Sequence, residues 1–425
     1  YTSVPNIMKV LGPLFLDDLK AKLEEAGTSV RKLRALRRRL ARIRVFDPAC
    51  GSGNFLVIAY REMRAIEAEI VRRTDDVPTS VIPLAHFYGI EIKDFAAQIA
   101  RLSLLIAEFQ ADWRHISQQA ACKAVLPLDN TGTIHCGNAL RMDWTQVLDG
   151  AGEARGATDE VTGTQAFEEQ DLAGGTGRLN LAPAEQNEAA WETYICGNPP
   201  YRGSQDQTPE NKSDLARACH DTSIATRSTD YVIGWFAKAT SLIEKYNDTF
   251  FAFVTTNSIN QGRQVAKIWP SLLNEGSEII FARPSFLWSN LASNKAAVMV
   301  SIIGMGYRSG RKKFVYDGVS SKEADFIGPY LLPNINTFIQ ERRTILSDMP
   351  LMHNGSMPND GGGLLVNRAE ARSLIKEDSR TSEFLRVFVG TSELIDGKLR
   401  YAIWCPDEMY GMRAQQIECL NSRFA

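Results

Sequence analysis

The tetrapeptide Asn198-Pro199-Pro200-Tyr201 constrains this chain more than any other feature. It follows Trp191-Glu192-Thr193-Tyr194-Ile195-Cys196-Gly197, a short, mostly apolar run that reads as a strand. Neither proline has a backbone N–H to donate, so a sheet cannot continue through them. The chain therefore leaves the strand abruptly and holds an amide, a proline carbonyl and an aromatic ring at its carboxyl end. In open α/β sheets that is where ligands bind. The amide oxygen and the backbone carbonyl can each accept a hydrogen bond from an exocyclic amino group, while the tyrosine ring can stack on a planar base.

Upstream lies Arg44-Val45-Phe46-Asp47-Pro48-Ala49-Cys50-Gly51-Ser52-Gly53-Asn54-Phe55-Leu56, which reads as a buried strand, a small-residue loop and the start of a helix. Glycines let the loop turn tightly and approach a ligand, and the helix N-terminus beyond offers unpaired N–H groups. A lone Gly-x-Gly is equally a plain turn. The dinucleotide fingerprint fails at its third glycine, where Leu56 stands, and no Gly-x-x-x-x-Gly-Lys-Ser/Thr phosphate loop occurs. About one βαβ unit later His86-Phe87-Tyr88-Gly89-Ile90-Glu91-Ile92 reads as a second strand ending in an acid. A third, Thr133-Ile134-His135-Cys136, leads into Gly137-Asn138-Ala139-Leu140.

Asp47-Pro48-Ala49-Cys50-Gly51-Ser52-Gly53 resembles motif I of S-adenosylmethionine-dependent methyltransferases. Together with Asn198-Pro199-Pro200-Tyr201 it resembles the enzymes that methylate adenine N6 in DNA. The resemblance implies an α/β fold: a Rossmann-like methyltransferase domain with a mixed, mostly parallel sheet. It implies a cofactor site built from Asp47, Pro48, Ala49, Gly51, Gly53 and Phe55. Glu91 would take the ribose hydroxyls, and Asn138 the adenine, with Asp143 as a fallback. Asn198, Pro199, Pro200 and Tyr201 would form the catalytic pocket, acting on a base flipped out of the duplex. Tyr1-Thr2-Ser3-Val4-Pro5 resembles motif X, which adds Tyr1 and Thr2 to the cofactor residues. Motif X before motif I is the γ-class order. Phe286 and Trp288 are either a clamp on the far face of the base or core aromatics.

The resemblance extends to MmeI-like (type IIL) fused restriction–modification enzymes, through Met349–Pro358, the glycines at 361–363 and the stretch from Phe388 to Trp404. It implies a methyltransferase domain over 1–335 and the start of a target-recognition domain over 336–425. Double-stranded DNA is then the partner. Family members carry an amino-terminal nuclease with a Pro-Asp…Asp/Glu-x-Lys centre. Glu91-Ile92-Lys93 matches only its tail, by coincidence, so the nuclease is expected outside this chain.

Hydrophobic content of 44% and charged content of 23% are those of an ordinary globular protein. No run is long enough to span a bilayer, and no secretory signal heads the chain. Tyr1 in place of Met is what a processed chain or a fragment would show. Seven cysteines without a Cys-x-x-Cys pair and five scattered histidines suggest a reducing setting and no metal site. With the resemblance, that setting is the cytoplasm of a prokaryotic cell. No Pro-Cys dipeptide supplies the thiolate of a cytosine-C5 enzyme.

A net charge of −2 hides segregation. Arg31 to Arg44 is intensely basic, with Leu33, Leu36, Leu40 and Ile43 on one helical face. Its cations are either a solvated face or phosphate contacts, and the same choice applies to Arg311-Lys312-Lys313. Residues 149–190 read as an acidic surface insertion, and 202–227 as a polar stretch that orders on substrate binding. Beyond them the pattern predicts a helix with Trp235, Ala239 and Leu242 inward, a strand over Phe250–Ser258 and another over Ala296–Ile303.

Three alternatives stand beside adenine N6. Cytosine-N4 methylation usually has Ser where Asn198 stands. Release-factor glutamine methylation shares Gly-Asn-Pro-Pro-Tyr, but on smaller chains. The third is a non-catalytic DNA-binding subunit that retains the fold.

Overall fold

The computed structural model describes residues 2–124, 133–153, 191–273, 276–288, 298–308, 310–318, 320–340 and 363–424. Tyr1, residues 154–190 of the expected insertion and the Met349–Pro358 run lie outside the described residues. By its internal contacts the chain divides into two units, Tyr1–Glu341 and Arg342–Ala425.

In the first unit, consecutive strand residues enter opposite cores, as the two-residue repeat of a strand requires. Val45, Tyr194, Cys196, Phe250, Ala252 and Val254 belong to one hydrophobic cluster. Phe46, Ile195, Phe251 and Phe253 belong to the other. Strands buried on both faces need helices on both faces, and the chain supplies them.

The strands are β1 (Ile43–Asp47), β2 (Phe87–Glu91), β3 (Ile134–Cys136), β4 (Glu192–Gly197), β5 (Thr249–Thr256), β6 (Ser277–Trp288), β7 (Val298–Tyr307), β8 (Lys313–Asp317) and β9 (Ser320–Ala324). Among the described residues they form a nine-stranded sheet in the order β3-β2-β1-β4-β5-β7-β6-β8-β9. The five strands from β3 to β5 are parallel; β7 runs antiparallel to both β5 and β6. Strand order therefore reverses between β1 and β4, and the crevice of an open α/β sheet lies at that reversal.

Ahead of β1 come α1 (Val4–Leu11), α2 (Asp17–Ala26) and α3 (Val30–Leu40). Next are α4 (Asn54–Thr74), α5 (Asp94–His115), α6 (Gln118–Ala124) and α7 (Trp144–Glu153). After β4 come α8 (Pro209–Ala218), α9 (Ile233–Lys245) and α10 (Arg263–Leu272). In α9, Trp235, Ala239 and Leu242 are buried, as the spacing predicts. Residues 149–153 continue α7 and do not begin an irregular insertion. Within the 202–227 stretch lies α8. Its N-cap Thr208 accepts from Asn211 N–H, Asn211 reciprocates, and Pro209 takes the first helical position.

The basic helix α3 spends much of its charge inside the fold. Arg34 pairs with Asp76, Arg37 with Glu67, and Arg39 with both Asp18 and Glu192. At the second basic turn Lys313 pairs with Glu278, Lys312 pairs with Glu323, and Arg311 lies over the Phe250 ring. Among the described residues no helix is long and apolar enough to cross a membrane.

The second unit has a three-stranded antiparallel sheet in the order β10 (Leu365–Asn367), β12 (Arg400–Ile403), β11 (Leu385–Phe388). Its own core gathers Val366, Leu374, Phe384, Ile403 and Leu420.

Candidate functional site

The site grows from the turn after β1. Asp47 is 1% exposed, and its Oδ1 accepts the N–H of Ala49 at 3.0 Å, closing the loop on itself. Burial pushes its carboxyl up to about 8; the Ala49 bond opposes that rise and the charge of Glu91 adds to it. The indole N–H of Trp235 donates to the Pro48 carbonyl at 3.1 Å, tying the loop to α9. Gly53 adopts φ +83°, and a Cβ there would meet the Ala100 backbone at 3.2 Å, so the loop packs tightly on α5. Gly51, at φ +55°, has open space where its side chain would be.

Glu91 at the end of β2 is oriented by two backbone groups. Its Oε2 accepts from Gly51 N–H at 3.0 Å and its Oε1 from Lys93 N–H at 2.9 Å. Each oxygen keeps a lone pair for a further donor. Past β3, the Asn138 Oδ1 accepts from Leu140 N–H at 3.0 Å and its Nδ2 donates to Asp214 at 2.8 Å.

At the end of β4 the chain turns through Asn198, half-buried, Pro199, buried, and Pro200, exposed. The Tyr201 hydroxyl donates to the Asn198 Oδ1, while its ring packs on the core that includes Phe250 and Trp288. Burial pushes the Tyr201 phenol upward. The thiols of Cys50 and Cys196 are likewise raised by burial and serve as small packing groups.

A cleft of about 410 Å³ opens where these turns converge. It brings together Pro48, Ala49, Glu91, Asn138, Asn198 and Pro200 from segments far apart in sequence. Asp47 lies beneath it against Gly197. Phe55 and Trp288 are 4% and 2% exposed and belong to the core, while Phe286 is half-buried with Lys9 Nζ 4.7 Å from its ring centroid. Thr2 is half-buried just ahead of α1. Asp143 caps Thr145 and lines a different cavity.

The remaining cleft wall was not legible as such: Arg202, Glu210, Asn211 and Asp214 from the α8 region, with Tyr231 and Trp235. Arg141 joins α8 to the loop after β3, bonding Asp214 at 2.6 Å and Glu210 at 2.5 Å. Thr208-Pro209, an N-cap followed by a first-turn proline, was the available signal for that helix.

Two family models divide the chain: the MmeI DNA-methyltransferase domain matches residues 23–317, and the MmeI target recognition domain matches residues 333–425. The chain belongs to the MmeI family. Across 419 residues it is 38% identical to DNA methyltransferase A of Bacillus subtilis (strain 168), covering 96% of this chain and 43% of that one. The structure of the type IIL restriction-modification enzyme MmeI in complex with DNA matches at 31% identity and a TM-score of 0.78, over 100% of this chain and 53% of that one. A shorter match, 40% identical over 72 residues, joins 17% of this MmeI-family chain to 6% of the adenine-specific methyltransferase BrxX of Escherichia coli O9:H4 (strain HS). The chain thus spans about half the length, or less, of these relatives.

Proposed function

We propose that this chain is the modification portion of a site-specific DNA methyltransferase. It transfers a methyl group from S-adenosylmethionine to adenine N6 of a base flipped from double-stranded DNA, within a restriction–modification system. The observation that carries the proposal is one cleft holding both sets of residues. Pro48, Ala49 and Glu91 line it beside Asn198 and Pro200.

The residues fit an adenosyl cofactor. Glu91, at the strand end beside the switch point, keeps lone pairs for two ribose hydroxyls. The loop before α4 presents Gly51 with no side chain in the way. Asp47, Gly53 and Phe55 hold that loop from beneath, Asn138 faces the purine end, and Tyr1 and Thr2 would cover the methionine end. When bound, S-adenosylmethionine supplies an electrophilic methyl group on its sulfonium.

The chain's own part is to position the amino nitrogen. Its lone pair is delocalised into the purine ring, which makes it a poor nucleophile. The Asn198 Oδ1 and the Pro199 carbonyl accept its two N–H bonds and favour a pyramidal nitrogen with the lone pair directed outward. Pro200 fixes the turn so that both acceptors stay in place. Flipping the base costs a few kcal/mol, and stacking on Tyr201 offsets about 1–3 kcal/mol of it. Phe286 can close the opposite face; Trp288, in the core, supports it. The second unit would read sequence in the major groove, and a nuclease would be supplied from outside this chain.

Asn at the head of the tetrapeptide favours adenine over cytosine, and one relative is named adenine-specific. The test is transfer of labelled methyl to duplex DNA by the wild-type chain and by Asn198→Ala. Loss of transfer with retained binding of S-adenosylhomocysteine supports the proposal; full activity of the variant ends it.

A further inference from the structure

We propose that Asp214 of α8 is a specificity residue of the cofactor cleft: with Asn138 it forms a carboxylate–amide pair that faces the exocyclic amino group of an adenosyl ligand. This rests on the cofactor reading above and adds to it a helix outside the parallel strands.

Asp214 is 3% exposed, yet it lines the cleft beside Asn138, Ala139 and Tyr231. Its Oδ2 accepts from Asn138 Nδ2 at 2.8 Å and from Arg141 Nη2 at 3.1 Å, and its Oδ1 accepts from Arg141 Nε at 2.6 Å. A carboxylate offers about four acceptor positions, so one on Oδ1 is left. Arg141 offsets the buried charge, and the Asp214 side chain keeps an acceptor position for a ligand.

The same bonds fix Asn138. An amide has nearly the same shape when its oxygen and nitrogen exchange places, so hydrogen-bond partners decide which end points where. Here Leu140 N–H holds the oxygen and Asp214 holds the nitrogen. The open position on Asp214 Oδ1 therefore offers an acceptor on that side of the cleft. An adenine amino group satisfies it. A hypoxanthine carbonyl in the same place sets lone pair against lone pair, the kind of mismatch by which buried polar sites reject analogues.

The test is calorimetric binding of S-adenosylhomocysteine and S-inosylhomocysteine to the wild type, Asp214→Asn, Asn138→Asp and the double exchange. The wild type should prefer the adenine ligand by about tenfold or more. Asp214→Asn, which can turn an N–H toward the ligand, should erase most of that preference. Asn138→Asp, which leaves only acceptors there, should keep it, and the double exchange, with one carboxylate restored, should regain part of what Asp214→Asn loses. If Asp214→Asn alone does not fold, the double exchange still reads whether the preference weakens with the Asp214 carboxylate gone. Melting temperatures are recorded without ligand. An Asp214→Asn protein that melts lower but keeps the preference shows a structural role alone and overturns the inference, as does a preference lost in Asn138→Asp. A wild type that binds neither ligand overturns the cofactor reading itself, and this inference with it.

Discussion

The carboxylate of Asp47 occupies the space that a side chain at Gly197 would need: a Cβ placed there lies 2.6 Å from Asp47 Oδ1. The ends of β1 and β4 thus meet through an acid and a missing side chain, at the point where the strand order reverses. Gly197→Ala must displace a carboxylate that is buried and tied to Ala49 N–H. It should cost about 1–3 kcal/mol of stability by overpacking. Cofactor affinity should fall as well. Denaturant melts and calorimetry with S-adenosylhomocysteine measure both.

Asp47 also sets a pH dependence. Its carboxyl is raised from 3.8 to about 8 in the fold, mainly by burial. Between those values the folded chain keeps a proton that the unfolded chain has lost. Stability then falls as pH rises through that window, from about 4 to about 8. Melting curves across the window should show the decline, and Asp47→Asn should flatten it. A wild-type curve whose stability rises there would show the carboxyl is not held protonated.

The Tyr201 hydroxyl engages the acceptor oxygen that Asn198 would offer to the base. Tyr201→Phe removes that competition and keeps the ring, so turnover should stay within about tenfold of wild type. Tyr201→Leu loses stacking worth about 1–3 kcal/mol and should weaken base flipping accordingly. Fluorescence of 2-aminopurine at the target position separates the two variants.

In the basic helix the cations are not equivalent. Arg39 bonds Asp18 at 2.6 Å and Glu192 at 2.8 Å, joining α3 to α2 and to the start of β4. Arg39→Ala should destabilise the chain by about 1–3 kcal/mol, because half-buried Glu192 loses its cationic partner and keeps only the Tyr194 hydroxyl. Arg31→Ala, on the exposed side, should stay within about 0.5 kcal/mol. Thermal melts of the two variants decide it.

Much of the sheet was legible because its strands carry their own punctuation. Asp47-Pro48 ends β1 and Asn198-Pro199-Pro200 ends β4, so both turns could be read without any tertiary contact. The wall made by α8 was not. It has few apolar residues to mark a period, its only local signal is the capping box at Thr208, and its place in the cleft is set by Arg141, 73 positions away from Asp214. Asn138 shows the same limit: its side chain is committed to Asp214, 76 positions away. Phe55 and Trp288 fit either a ligand site or a core by composition alone. Burial placed both in the core.

Methyl transfer to adenine N6 leaves a product that can be read directly. The direct measurement is digestion of duplex DNA to nucleosides after incubation with the chain and labelled S-adenosylmethionine, wild type and Asn198→Ala side by side. Label in N6-methyl-2′-deoxyadenosine from the wild type, absent with the variant, is the expected result. Label in N4-methyl-2′-deoxycytidine, or undiminished label from Asn198→Ala, would contradict this assignment.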